Sequence, residues 1–251
     1  MIAIIAALED EAAGLLTQTE VTRHLSIDRS PAWEGKLGRK DVVMARSGPG
    51  RQRAQAAADF LLHHYPLAAL VSIGFAGAVR DGLRAGDLVL CQRVHAPQEA
   101  EVCSCDPALL AQAVAALAGR GIAFHQADAL TVPQVVGEPQ AKADIGHRRP
   151  VAVVEMESYW LAQAAVRRGV PFLVLRAVLD ELGDWLPDVS LVDETGVVQR
   201  PKAMAYLMRH PERTQALMRI GANVAKAGQS LAAGVVALLE GWDQTQPSPT
   251  L

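Results

Sequence analysis

Four apolar runs in this chain end in acids or glycines. "IAIIAAL" gives way to Glu9, Asp10 and Glu11, and "AALVSIGFAGA" passes from Ser72 into Gly74 and Gly77. "VAVV" stops at Glu155 and Glu157, and "PFLVLRAVL" closes on Asp180 and Glu181. A carboxylate at the end of a buried run is costly unless something polar meets it. Such a group can carry a proton to a leaving group or, ionised, accept hydrogen bonds from substrate hydroxyls. Plainer roles are open at each place. Asp180 could cap the turn in "DELGDW". Glu155 and Glu157 could sit in solvent at a helix start, where the dipole favours acids. Glu9 to Glu11 could be an exposed first turn, in which helical spacing lets only one acid face a sheet end. The glycines of "GFAG" let backbone approach a ligand closely, or make a tight turn. "SGPGR" (47–51) could meet an anion through N–H groups at a helix start.

The elements that must position these groups alternate. Buried strands are expected over 2–8, 41–48, 68–78, 86–95, 151–156 and 171–181, and helices over 9–16, 51–65, 107–121 and 157–169. This alternation argues for an α/β domain with a parallel or mixed sheet, whose ligand site lies beyond the carboxyl ends of the strands. All four polar strand ends would meet there. Periodicity lapses from Asp184 to Arg200, an expected long loop. Leu217, Ile220, Val224, Gly228, Leu231, Val235 and Leu238 then mark one face of a long helix. It follows a break at His210–Pro211.

Composition narrows the classes. Of 251 residues half are hydrophobic, which suits one domain with a large core. A net charge of −3 and 4% aromatics give no reason to expect nucleic acid. The three cysteines (Cys91, Cys103, Cys105) are too few for a disulfide framework, so a reducing, cytoplasmic setting is expected. "CSC" lacks a second thiolate pair and the histidines show no metal spacing, so no metal is expected. The apolar N-terminal run is shorter than the ~18 residues of a membrane span.

In order, "MIAIIAALEDEAAGLL", "SGPGRQRAQAAADFLL", "SIGFAGAVRDGLRAGDLVL" and "AVVEMESYWLAQAAVRRGVPFLVLRAVLDE" resemble segments of the nucleoside phosphorylase/nucleosidase superfamily. Its nearest well-known branch is the methylthioadenosine/S-adenosylhomocysteine nucleosidases. The resemblance spans residues 1–185 and implies a three-layer α/β/α domain with a mixed central sheet. Residues 186–242 are expected as a loop and helical extension on the same domain, and 243–251 as a disordered tail. "GFAG", "EMES" and the stretch from "RAVLDELGDWLP" through "RHPERTQALMRIG" are similar to the hopanoid-associated phosphorylases. Those proteins are thought to release adenine from adenosylhopane.

The resemblance implies cleavage of the N-ribosidic bond of an adenine nucleoside, by hydrolysis or phosphorolysis, with a lipid nucleoside as substrate. A methylthioadenosine/S-adenosylhomocysteine nucleosidase and a non-catalytic nucleoside-binding protein are the alternatives. No cofactor is implied beyond inorganic phosphate as a co-substrate. Asp180 matches the acid that protonates adenine N7, Glu11 the residue that positions water, and Glu157 the acceptor of the ribose hydroxyls, with Met156 on the sugar face. Phe75, Ala76, Gly77, Val135 and Val136 fall where base or substrate is held. The phosphorylases' phosphate-binding Arg and Ser are replaced by Ser72 and Phe75, leaving Arg46 or Arg51 to supply charge to a phosphate. A homodimer is implied. The basic, Met/Leu-rich C-terminal helices suit a bilayer surface, or equally the core or a dimer interface.

Overall fold

The computed structural model describes residues 1–98, 101–186, 191, 193 and 198–242. The expected tail and much of the loop before Arg200 lie outside them. Strand β1 (Ile2–Ala6) is buried along its whole length, because it pairs in parallel on both sides, with β4 (Lys40–Arg46) and β5 (Ala69–Ala78). A strand covered on both faces reads as a continuous apolar run, which is why "IAIIA" shows no alternation. β4 leads through β3 (Ser30–Leu37) to β2 (Thr19–Ile27), an antiparallel wing. On the other side β5 pairs with both β10 (Phe172–Asp180) and β9 (Val153–Glu155). β6 (Leu88–His95), with the short β7 (Val102–Ser104), and β8 (Phe124–Thr131) complete the path between β10 and β9. Strands β5, β9, β8, β6 and β10 therefore close into a ring, and β1 to β4 extend from it.

Helices cover this mixed sheet in three layers. α2 (Arg51–His64) packs with α5 (Ser158–Arg167), whereas α1 (Glu9–Leu16) and α3 (Pro107–Gly119) pack with the long α7 (Thr214–Glu240). α4 (Pro139–Arg148) lies between β8 and β9 in the chain. α6 (Arg200–Arg209) stops at His210, and one 3₁₀ turn over Pro211–Arg213 leads into α7. By length and composition α7 could cross a membrane. Its C-terminal half instead buries Leu231, Val235 and Leu238 in the core.

β1, β4, β5 and β10 run parallel, so Ala6, Arg46, Ala78 and Asp180 end at one edge. The register of β10 on β5 slips between Val178 and Asp180, leaving Leu179 as an extra residue. A bulge of this kind re-aims the side chain that follows it.

Candidate active site

A cavity of ≈ 290 Å³ opens at that edge. Glu11 sits at its floor, 5% exposed. One carboxylate oxygen accepts the backbone N–H groups of Ala7 and Leu8, both at 2.8 Å, and the other accepts that of Phe75 at 2.8 Å. Glu11 thus closes the first turn of α1 and ties it to β5. Burial raises its pKa, and the Phe75 N–H and the Arg176 charge pull it back.

Arg176, in the middle of β10, is the largest fully buried side chain among the described residues. Its Nη2 donates to Glu155 at 2.7 Å, Ser72 at 2.9 Å and Ser158 at 2.5 Å. Glu155 also accepts the N–H groups of Glu157 (3.0 Å) and Ser158 (2.8 Å), and the Thr131 hydroxyl. It therefore caps α5 and neutralises Arg176. Removing one partner of such a buried pair costs about 3–5 kcal/mol.

Glu157 stands at the N-terminus of α5 and accepts the Gly50 N–H at 2.7 Å. Burial, then repulsion from Glu155, pushes its pKa up to about 8. Both effects favour the neutral carboxyl over the carboxylate. A neutral carboxyl can both donate to and accept from a diol.

Asp180 is 1% exposed and paired with Lys142 of α4, which is fully buried. Burial raises the Asp180 pKa and Lys142 opposes the rise. Lys142 Nζ also donates to the carbonyls of Glu181 (3.0 Å) and Asp184 (2.7 Å).

Five acids line the cavity (Asp10, Glu11, Glu155, Glu157 and Asp180), and among the described residues lining it there is no Lys or Arg. The rest of the wall is almost wholly apolar. Phe75, Ala76, Gly77, Val135, Val136, Val154 and Met156 lie along it, with Leu186, Leu191, Val198, Ala203, Leu217, Ile220 and Val224 from the C-terminal region.

Residues 1–208 match the phosphorylase superfamily. The chain belongs to that superfamily. It is an enzyme that cleaves the N-ribosidic bond of nucleosides, a nucleosidase or nucleoside phosphorylase. It is 30% identical over 201 residues to a 5'-methylthioadenosine/S-adenosylhomocysteine nucleosidase of Aeromonas salmonicida, covering 72% of this chain and 86% of that one. The nucleosidase of the same name from Staphylococcus epidermidis is 27% identical over 206 residues, with 76% and 90% covered. Among solved structures, the Neisseria meningitidis nucleosidase in complex with methylthio-immucillin-A superposes with a TM-score of 0.77 at 23% identity, covering 96% of this chain and 99% of that one. Futalosine hydrolase of Helicobacter pylori gives 0.77 at 17% identity, with 96% and 97% covered. These two share the fold.

Within this superfamily member, the fold brings Asp180, Glu11, Glu157, Met156, Phe75, Ala76, Gly77, Val135 and Val136 to one cavity. It does not bring Arg46 or Arg51 there. Arg46 pairs with Glu9 at 3.0 Å, and Arg51 lies 4.1 Å from the centre of the Trp160 ring and donates to Gln55 at 3.2 Å. The "GFAG" glycines face charged groups of the protein itself. A Cβ on Gly74 would stand 2.7 Å from Arg176 Nη1 and 2.8 Å from Glu11 Oε1, and one on Gly77 3.0 Å from Asp180 Oδ2.

Sequence reasoning missed Arg176 and Lys142 and left Glu155 without a role. For Arg176 a signal was present: a charge inside "FLVLRAVLD" must find a buried partner. Lys142 had none, since nothing in the residues around it marks that lysine for burial.

Proposed function

We propose that this enzyme hydrolyses the N-ribosidic bond of an adenine nucleoside bearing a large apolar group at C5′, with adenosylhopane as the substrate. The carrying observation is the cavity itself, a cluster of carboxyls continued by an apolar wall from Leu186 to Val224. The adenine part is supported by the methylthioadenosine/S-adenosylhomocysteine nucleosidases at 27–30% identity. In this reading Asp180 gives its proton to adenine N7 as the C1′–N9 bond breaks. Glu157 and Met156 hold the ribose, and Glu11 directs water to C1′ and takes its proton. Val135, Val136, Phe75 and Ala76 cover the base.

Hydrolysis is favoured over phosphorolysis on charge. Phosphate would enter a lining that offers no cation among the described residues, so no side chain there would offset its buried charge. The three N–H groups at the floor that could cradle an anion are already taken by Glu11. Adenine release should therefore proceed at full rate in phosphate-free buffer. Steady-state assays with adenosylhopane, 5'-methylthioadenosine and S-adenosylhomocysteine test the substrate. Rapid turnover of 5'-methylthioadenosine would sink the lipid reading.

The outer face of the same helices supports contact with an anionic bilayer that holds such a substrate. Met204, Met208 and Met218 are 62%, 80% and 66% exposed. Residues 200–226 carry six basic side chains and one acidic, net +5, in a chain of net −3. Apolar side chains among cations suit an anionic lipid surface. Co-sedimentation with vesicles of anionic phospholipid, weakened by Met208→Ser and by salt, is the expected result. Light scattering showing a dimer that hides Met208 would assign the face to the homodimer interface.

A further inference from the structure

We propose that Lys142 is a positioning residue for Asp180, fixing which carboxyl oxygen faces the nucleoside and neutralising the charge left when the proton departs. The inference rests on the nucleoside-cleaving reading above and adds to it a residue remote in sequence from the strand ends.

The geometry leaves Lys142 little freedom. Its side chain is fully buried on α4. An ammonium has three N–H donors, and here three acceptors take them: Asp180 Oδ2 and the carbonyls of Glu181 and Asp184, the last two at 3.0 Å and 2.7 Å. Both carbonyls belong to the segment just after Asp180, so the ammonium is anchored to the acid's own backbone. With Oδ2 engaged, Oδ1 is the oxygen left for a ligand. On the opposite side Gly77 leaves the carboxyl room, since a Cβ there would lie 3.0 Å and 3.2 Å from its two oxygens.

Charge accounting gives this arrangement a purpose. When the C1′–N9 bond breaks, its electron pair moves onto the base and the Asp180 proton moves to N7. Water oxygen bonds to C1′ and one water proton passes to Glu11. A carboxylate then remains at a position 1% exposed, where an unpaired charge is strongly disfavoured. Lys142 compensates it without moving. The other charged groups near Asp180 do not replace Lys142. Asp184, from the loop that follows, opposes ionisation, and Arg219 of α7 is held by Asp184 at 2.8 Å. Glu181 is turned to Arg84 at 2.8 Å, and β5 meets Asp180 through Gly77. Burial alone would leave Asp180 a reluctant proton donor, and Lys142 offsets that.

The test is the pH dependence of kcat/KM for adenine release by full-length Lys142→Met and Lys142→Gln. The nucleoside is whichever of the three above the wild type turns over. Losing the ammonium should move the alkaline limb, where the essential acid deprotonates, upward by about one pH unit. It should also lower kcat by about 10–100-fold. In an Asp180→Asn background, Lys142→Met should cost nothing further, because its effect passes through Asp180. Lys142→Gln, which keeps a donor of similar length, carries the measurement if Lys142→Met fails to fold. A slower enzyme whose limb has not moved, or losses that multiply in the double variant, would make Lys142 a structural strut and overturn the proposal. A wild type inert toward every nucleoside refutes the functional reading and this inference with it. An active wild type with an unmoved limb refutes the role of Lys142 alone.

Discussion

Gly74→Ala is a small perturbation with a large expected effect. A Cβ at this position would meet Arg176 Nη1 at 2.7 Å and Glu11 Oε1 at 2.8 Å, whereas ordinary contact begins at 3.4 Å. Each group must therefore retreat by about 0.6–0.7 Å, or the strand must shift by as much. Neither group has slack. Glu11 would stretch its 2.8 Å bond to the Phe75 N–H to the edge of hydrogen bonding. Arg176 would drag on Glu155, Ser72 and Ser158. Weakening one or two charge-assisted bonds costs about 2–4 kcal/mol. A displacement approaching 1 Å in Glu11, the group proposed to direct water, should cost up to about 10²-fold in rate. Urea unfolding and adenine release measure the two effects. Gly221→Ala serves as control: nothing lies within 4 Å of its Cβ in α7, so it should stabilise by roughly 0.5–1 kcal/mol. Equal stability and rate for the two variants would refute the view that Gly74 exists to admit Glu11 and Arg176.

Other expectations follow from the same geometry. The folded-state pKa of Glu157, about 8, lies above its ordinary 4.5, so its contribution to stability is complete below pH 4.5 and lost as pH rises through 8. Glu157→Gln should thus melt higher than the wild type at pH 9, with the gap narrowing as pH falls and closing by about pH 4.5; a gap independent of pH counts against a carboxyl raised by burial and by Glu155. Leu217→Trp, on the apolar wall, should cut turnover of the nucleoside with the large apolar group at least about tenfold by filling its pocket, while 5'-methylthioadenosine cleavage holds at its wild-type level. Parallel losses on both substrates would place the C5′ group elsewhere.

How far the sequence disclosed this molecule depends on where each signal lay. Asp180, Glu11 and Glu157 were legible because they interrupt apolar runs, and a parallel sheet gathers such interruptions at one edge. The helices at 51–64 and 107–119 were legible from periodicity and their ends. The β2–β3 hairpin was not. Its turn uses Asp28 and Arg29 at φ 45° and 68°, without the glycine that marks most such turns. The bulge at Leu179 was equally silent, since it shows only in the register against β5. Lys142 lies on α4, which begins at Pro139, and no apolar run around it marks it for burial. Its burial depends on docking against the segment after Asp180, a contact 38 residues away in sequence.

One consequence of Glu11 reaches beyond the site. Phosphorolysis stores the energy of the broken bond in a sugar phosphate and runs in either direction, whereas hydrolysis discards it. With the N–H cradle filled by the Glu11 carboxylate, the proposed hydrolysis would act as a one-way valve. Its flux would be indifferent to the cell's phosphate supply, and accumulated adenine could not drive it backward.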